Sequence, residues 1–172
     1  EPEVVSVSRM NVDGTLKDTT AWTTQIKHGQ DISYTFEEGS SVPTFLASSE
    51  DGDGVVFFRV PGVEAAAITD VSVRKLWPNG VTFSTTNTNA YRDLVLSVAN
   101  VVVDGSTVTV VRFWRVKDLV DGGAGDYSES YIGQVVIDPD LSEFTYPNAI
   151  QSVTSKGNLL YVMSGIGGVA TT

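Results

Sequence analysis

The residues best suited to chemistry are three clustered carboxylates, Glu50, Asp51 and Asp53, in the segment EDGDG. Ca²⁺ binds about six to eight oxygen ligands, and these side chains could supply several of them. A complete calcium loop also needs further oxygens at fixed spacing and a closing glutamate, whereas residues 55–58 here are VVFF. The alternative is a solvent-exposed β-turn, which the sequence favours. The acidic segment 118–126 leaves the same two alternatives open.

Catalytic constellations are not recognisable in the sequence. His28 is the only histidine and lies in IKHGQD, a pattern typical of a turn. A Ser-His-Asp triad needs a histidine base, and the chain contains no Gly-x-Ser-x-Gly elbow. Carboxylate pairs of the glycosidase kind can be drawn from Glu64, Glu129 and Glu143, but no motif joins them. We therefore expect a protein that is not an enzyme.

Composition excludes further classes of function. The chain has 21 acidic and 11 basic residues, a formal net charge of -10, and its basic residues are scattered. Phosphate contacts need clustered Lys and Arg, so we expect no nucleic-acid partner. The absence of cysteine removes disulfides and thiolate metal sites, and calcium stays the one cofactor left open. No apolar run reaches the length of a membrane-spanning helix, so we expect no membrane span.

The elements that must position these side chains are short strands. Runs rich in Val, Ile, Thr, Tyr, Phe and Trp alternate with segments containing Gly, Asp and Asn, which is the pattern of strands and turns. About ten such runs predict an all-β fold, an antiparallel β-sandwich or barrel-like domain with little helix. Residues 55–60 (VVFFRV) are apolar except for Arg59 and predict a buried central strand. Residues 31–36 alternate and predict one face formed by Ile32, Tyr34 and Phe36.

Two further segments carry specific predictions. The polar Ser/Thr/Asn tract at 84–89 predicts an exposed loop. Residues 64–67 have the highest local helix propensity, but the segment is too short for a stable helix, so we expect helix only as a turn there.

Two hairpins are expected in the C-terminal half. Residues 91–103 fit helical as well as strand spacing, but the Asp104-Gly105 pair that follows is a strong hairpin signal. It favours strands at about 94–103 and 107–116.

The second hairpin lies at 150–163 and is suited to pairing with a neighbouring subunit, because strand addition needs only main-chain hydrogen bonds. Adjacent strand residues point to opposite faces, so one member of the pair 113–114 is expected to anchor a contact. The predicted interface residues are Phe113, Trp114, Leu159 and Tyr161.

Four segments of the C-terminal half follow one another as a Val-rich strand, an aromatic-ended strand, a Val/Ile/Asp strand and a closing hairpin. They are 101–106 (VVVDGS), 110–114 (VVRFW), 135–138 (VVID) and 155–162 (SKGNLLYV). This order resembles that of the nozzle (tail tubular) proteins of short-tailed bacteriophages, over less than half of the chain. The resemblance implies a non-enzymatic ring subunit of a virion tail.

The length of the chain predicts one β-rich domain at 1–163, with an alternative sub-boundary near 61–70 and a Gly-rich tail at 164–172. We expect a self-associating structural subunit of a virion or a similar multi-subunit assembly, located in the virion. The alternative is a glycan- or receptor-binding β-sandwich module, assisted by calcium, outside the cell or at its surface.

Overall fold

The computed structural model describes residues 4–23, 26, 32–36, 43–49, 51–59, 69–79, 81, 84–137 and 150–164. Most of these residues lie in strands, and all but one of the strand pairs are antiparallel. The all-β prediction is therefore confirmed. The elements are β1 (Val4–Met10), β2 (Leu16–Thr23), β3 (Ile32–Phe36), β4 (Pro43–Ser48), β5 (Gly54–Arg59), β6 (Thr69–Lys75), β7 (Ser84–Thr88), β8 (Leu94–Val103), β9 (Ser106–Arg115), α1 (Val116–Gly122), β10 (Gly125–Asp126), β11 (Gly133–Ile137), β12 (Ile150–Lys156) and β13 (Leu159–Ser164).

The described strands form two larger sheets and two separate hairpins. One sheet has the order β10-β6-β5-β4-β3 and the other has the order β11-β9-β8-β7. The hairpins are β1-β2 and β12-β13. β5 lies in the middle of its sheet and its residues 54–58 are buried, as its continuous apolar run predicts.

The two larger sheets pack face to face around a shared core. Leu46 and Phe57 from the first sheet share one buried cluster with Val95 and Trp114 from the second. This arrangement of two packed sheets is the sandwich that the strand pattern predicts.

Each larger sheet also has a buried cluster on its outer face. Ala47 and Phe58 of the first sheet form a cluster against which Val7 of β1 packs. Leu96 and Val111 of the second sheet share a cluster with Val153 of β12. The β12-β13 hairpin therefore packs on the second sheet, whereas the β1-β2 hairpin contributes Val7 to the outer face of the first.

β8 and β9 confirm the hairpin prediction. Val103 pairs with Ser106, and the two residues between them, Asp104 and Gly105, have φ angles of 51° and 78°. Positive φ at both central residues is the requirement of a type I′ turn, which matches the twist of the flanking strands.

β7 corrects the prediction of an exposed loop at 84–89. The segment pairs with β8, and Thr86 and Thr88 are buried. The backbone N–H of Thr86 donates to the hydroxyl of Ser48 at 3.2 Å, and its own hydroxyl donates to Ser97 at 3.1 Å. Because the polar groups are hydrogen-bonded inside the fold, a tract without apolar side chains can be buried.

Helix occurs at a different place from the one predicted. α1 follows β9 directly and buries Val116 and Leu119, which are three residues apart and share one helix face. Gly123, with a φ of 70°, follows its last residue. Residues 64–67 lie outside the described part of the chain.

β3 alternates as expected, but its apolar face is the exposed one. Thr35 is buried, whereas Ile32 and Tyr34 on the other face are exposed; the side chain of Phe36 is outside the described set. β3 lies at the end of its sheet, so its apolar face receives less cover than that of β5.

The predicted domain limits fall mostly on undescribed residues. Of 61–70 only the last two residues are described, and of the tail 164–172 only Ser164, which ends β13. β5 and β6, on either side of 61–70, pair with each other in one sheet.

Candidate functional site

The acidic turn at 51–54 is shaped by its main chain. Ser49 accepts the N–H of Gly52 at 3.0 Å and donates its own to Gly54 at 3.0 Å. The carbonyl of Asp53 accepts the N–H groups of Leu76 and Trp77 at 2.9 and 2.8 Å. The turn therefore connects β4 to β5 and is hydrogen-bonded to the residues that follow β6. Glu50 lies outside the described residues.

A metal site is not assembled within the described ranges. Asp51 is exposed and Asp53 is half-buried. No group of three or more His, Cys, Asp or Glu side chains among the described residues could hold a metal ion.

The second acidic segment, 118–126, has partners for two of its carboxylates. Lys117 pairs with Asp121 at 2.7 Å, and Lys75 lies 3.9 Å from Asp126. The N–H of Ser128 donates to Asp126 at 2.9 Å, and this bond is the main cause that lowers the pKa of Asp126 below its ordinary value. The first pair lies within α1, and the second links β10 to β6.

Of the remaining catalytic candidates, the structure describes only Glu129. His28, Glu64 and Glu143 lie outside the described residues, and Glu129 is exposed.

Phe113 and Trp114 point to opposite faces of β9, as expected. Trp114 is buried in the shared core, donates its indole N–H to the carbonyl of Tyr127 at 2.9 Å and meets Trp77 edge to face at 6.2 Å. Phe113 is half-buried and packs against the outer cluster of its sheet. Trp114 therefore stabilises the interior and is not available for contact with another molecule.

The terminal hairpin presents an apolar surface to solvent. Leu159, Tyr161 and Met163 alternate along β13 and are 56%, 50% and 59% exposed. The residues between them, Leu160 and Val162, pack inward against the second sheet. We call the three exposed side chains the outer stripe.

β12 attaches the hairpin to the body of the protein. The hydroxyl of Thr154 donates to the carbonyl of Thr88 at 2.9 Å, and the carbonyl of Ser155 accepts the N–H of Ala90 at 2.8 Å. The edge of β12 thus faces the end of β7, and within the described chain β13 pairs only with β12.

Two edges of the described sheets carry no protection against pairing. β13 has the sequence LLYVMS and β11 the sequence GQVVI, neither with a charge or a proline. Val135 and Val136 of β11 are exposed. Natural proteins commonly place Lys, Pro or bulges on free edges. The sequence predicts a pairing role for the terminal hairpin but not for the β11 edge, because the position of a strand within its sheet depends on residues distant in the chain.

A third surface, missed by the sequence analysis, is the loop 89–93 between β7 and β8. Its Arg92 has a φ of 61° and its guanidinium lies over the ring of Tyr34, 3.9 Å from the centroid. Tyr91 is 69% exposed. The available signal in the sequence is Asn89, a residue type whose side chain often binds nearby backbone; here it accepts the N–H groups of Asp93 and Leu94.

Within the described residues no helix has the length and hydropathy to cross a membrane. Comparison with protein-family models, with curated proteins and with solved structures found no match to this chain.

Proposed function

We propose that this chain is a non-enzymatic structural subunit of a multi-subunit assembly, a virion or a similar particle. Copies of the chain join through the outer stripe and the free edge of β13. The observation that carries the proposal is the outer stripe itself, three apolar side chains at least half exposed on an edge strand without charge.

Burial is the first argument. Contiguous exposed apolar side chains mark interaction surfaces more often than single ones do. Leu159, Tyr161 and Met163 stand at every second position, so they form one row on one face of the strand. Covering that row removes apolar area from water, which is the main driving force of protein association.

Charge is the second argument, and it favours a second copy as the occupant. The chain carries a formal net charge of -10, so copies repel one another over most of their surfaces. β13 contains no charged residue, and this repulsion is therefore smallest where two copies meet along it.

Strand geometry is the third argument. A two-fold axis at the β13 edge would pair the two strands antiparallel and bring both outer stripes onto one face. The interface is then self-complementary, since apolar residues of each copy lie beside apolar residues of the other.

The test is the oligomeric state of the full chain at micromolar concentration, by sedimentation velocity and native mass spectrometry. The variant Leu159→Lys with Tyr161→Lys places two like charges per copy on the outer stripe, and we expect it to sediment as a monomer. The matched control is Leu16→Lys, at a side chain 61% exposed on β2, which leaves assembly intact. A wild-type chain that is monomeric, or a double variant that assembles normally, contradicts the proposal.

The resemblance to nozzle proteins supports a virion as the setting. Mass spectrometry of purified particles tests this part separately, with the chain expected at a fixed copy number per particle. If the chain assembles in solution but is missing from particles, the assembly function stands and the virion setting is contradicted.

A further inference from the structure

We infer that the loop 89–93 and the ring of Tyr34 form a binding site for a carboxylate-bearing sugar, in which Arg92 binds the carboxylate and Tyr91 stacks on the sugar ring. This site goes beyond the proposed assembly function and lies on different residues from the outer stripe.

The loop is held in one conformation by Asn89. Its buried side chain accepts the N–H groups of Asp93 and Leu94, both at 3.1 Å, and donates to the Asp93 carboxylate at 2.5 Å. The carbonyl of Asn89 accepts the N–H of Arg92 at 3.0 Å. The hydrogen bond from Ala90 to β12 fixes the outer side of the loop.

Arg92 is positioned at both its backbone and its side chain. Its carbonyl accepts the hydroxyl of buried Thr35 at 3.1 Å, and its guanidinium lies over the ring of Tyr34, the preceding residue on β3. A non-glycine residue with positive φ carries strain, and such residues cluster at binding and active sites. These contacts hold the guanidinium over Tyr34, while the Arg92 side chain is exposed.

Charge identifies the ligand as an anion. Among the described residues the ion pairs are Lys75 with Asp126 and Lys117 with Asp121, and neither involves Arg92. The neighbouring carboxylate of Asp93 is held by Asn89 instead. An exposed Arg fork of fixed orientation is suited to bidentate binding of a carboxylate.

The aromatic side chain identifies the ligand as a sugar. Tyr91, which precedes Arg92 in the loop, is 69% exposed, and a tyrosine offers an apolar ring face together with a polar hydroxyl at low conformational cost. A pyranose ring presents C–H groups to such a face and hydroxyls around it. An acidic sugar uses both residues together, the ring on Tyr91 and the carboxylate on Arg92.

The test is an NMR titration of the full, ¹⁵N-labelled chain with 3′-sialyllactose, with a hexuronate oligosaccharide and with neutral lactose. The two acidic sugars distinguish a sialic acid from a uronic acid source. We expect at least one of them to shift the amides of residues 89–94 and of β3, and lactose at the same concentration to leave them unchanged. The affinity should fall at high salt, because the contact is exposed.

The variants separate recognition from folding. Arg92→Gln keeps a Cβ and therefore the same backbone strain, and we expect it to weaken binding about tenfold or more, since a charge-assisted bidentate contact is lost. Lys17→Gln removes a charge from an exposed residue of β2 and should leave the affinity unchanged. Tyr34→Leu removes the ring over which the Arg92 guanidinium lies. It should weaken binding although Tyr34 itself does not contact the sugar. If Arg92→Gln perturbs amides outside the loop, Tyr91→Leu takes its place and should also weaken binding.

Several outcomes overturn the inference. They are equal shifts with lactose, no shifts with either acidic sugar at millimolar concentration, an unchanged affinity in Arg92→Gln, and tighter binding of tetraglutamate at the same amides, which would make the site one for acidic peptides. The assembly variants of the outer stripe should bind the sugar normally, so failure of one proposal is distinguishable from failure of the other.

Discussion

The indole N–H of Trp77 donates a 2.7 Å hydrogen bond to the hydroxyl of Ser97, and both side chains are fully buried. Trp77 follows β6 in the first sheet and Ser97 lies in β8 of the second, so the bond crosses the interior of the sandwich. Thr86 donates to the same hydroxyl.

Ser97→Ala should lower the free energy of unfolding by about 1–3 kcal/mol, because it leaves the Trp77 N–H buried without an acceptor. Urea denaturation followed by tryptophan fluorescence measures the change. Ser106→Ala, at the exposed start of β9, is the control and should stay within about 0.5 kcal/mol of wild type. Equal losses in both variants would show that the inter-sheet bond contributes nothing specific.

Substitutions of Trp114 and Tyr161 should affect different properties, folding stability in the first case and self-association in the second. Trp114→Ala empties a buried site and should cost about 3–5 kcal/mol of unfolding free energy. Tyr161→Ala removes an exposed ring and should change stability by less than about 0.5 kcal/mol, when measured in dilute solution where association adds nothing. In sedimentation at micromolar concentration the Tyr161 variant should dissociate. A stable Trp114→Ala protein would contradict the buried position of this side chain.

Gly54 should tolerate no side chain. A Cβ on Gly54 would lie 2.3 Å from the carbonyl oxygen of Arg74 on the paired strand, a backbone atom that cannot move aside alone. A Cβ on Gly105 meets nothing within 4 Å, and Gly105→Ala should cost only the strain of its positive φ, about 1–2 kcal/mol.

Gly54→Ala should therefore lose more stability than Gly105→Ala in urea denaturation, and hydrogen exchange should accelerate in β5 and β6 only in the first variant. The reverse ranking would contradict the close approach of these two strands.

Asp126 should contribute to the dependence of folding stability on pH in the acid range. Hydrogen bonds from Ser128 lower its pKa, with a smaller effect of Lys75. A carboxyl whose pKa is lower in the folded than in the unfolded state stabilises the fold above the unfolded pKa of about 3.9, and this contribution is lost as the pH falls through the folded pKa. Ser128→Ala removes the side-chain hydrogen bond and should raise the pKa of Asp126 toward its ordinary value in a carboxyl NMR titration. An unchanged pKa would assign the shift to another cause.

Chelation of calcium should have little effect on the melting temperature. The turn that holds Asp51 and Asp53 is closed by main-chain hydrogen bonds of Ser49 and Gly54, which require no ion. A calcium ion present at 100 times its dissociation constant would add about 2.7 kcal/mol. A large fall in melting temperature on adding EDTA, absent in Asp51→Asn with Asp53→Asn, would establish a calcium site instead.

The local pattern of the sequence was sufficient to predict the positions of most strands. The continuous run at 55–58 predicts the buried β5, and Asp104-Gly105 predicts the β8–β9 hairpin, because turn geometry and strand period act over a few residues. The terminal hairpin follows from the same reasoning, with Gly157 and Asn158 between its paired ends. Alternation along β13 also indicates that Leu159 and Tyr161 share one face.

The candidate sites were less accessible from the sequence. The alternation of side chains along a strand predicts that Phe113 and Trp114 point to opposite faces of β9. It does not predict which of the two side chains points into the shared core. Arg92 carries no motif, since its orientation depends on Tyr34 and Thr35, which are more than fifty residues away in the chain.

The sequence by itself thus determined an acidic, all-β chain with its main hairpins and without cysteine chemistry. The tertiary structure alone decided that the polar strand β7 is buried, that Ile32 and Tyr34 are exposed and that α1 follows β9. The physical reason is that burial depends on partners brought from distant segments. Thr86 can be buried because Ser48, 38 residues earlier, and Ser97 satisfy its polar groups, while β3 remains exposed because it lies at the end of its sheet.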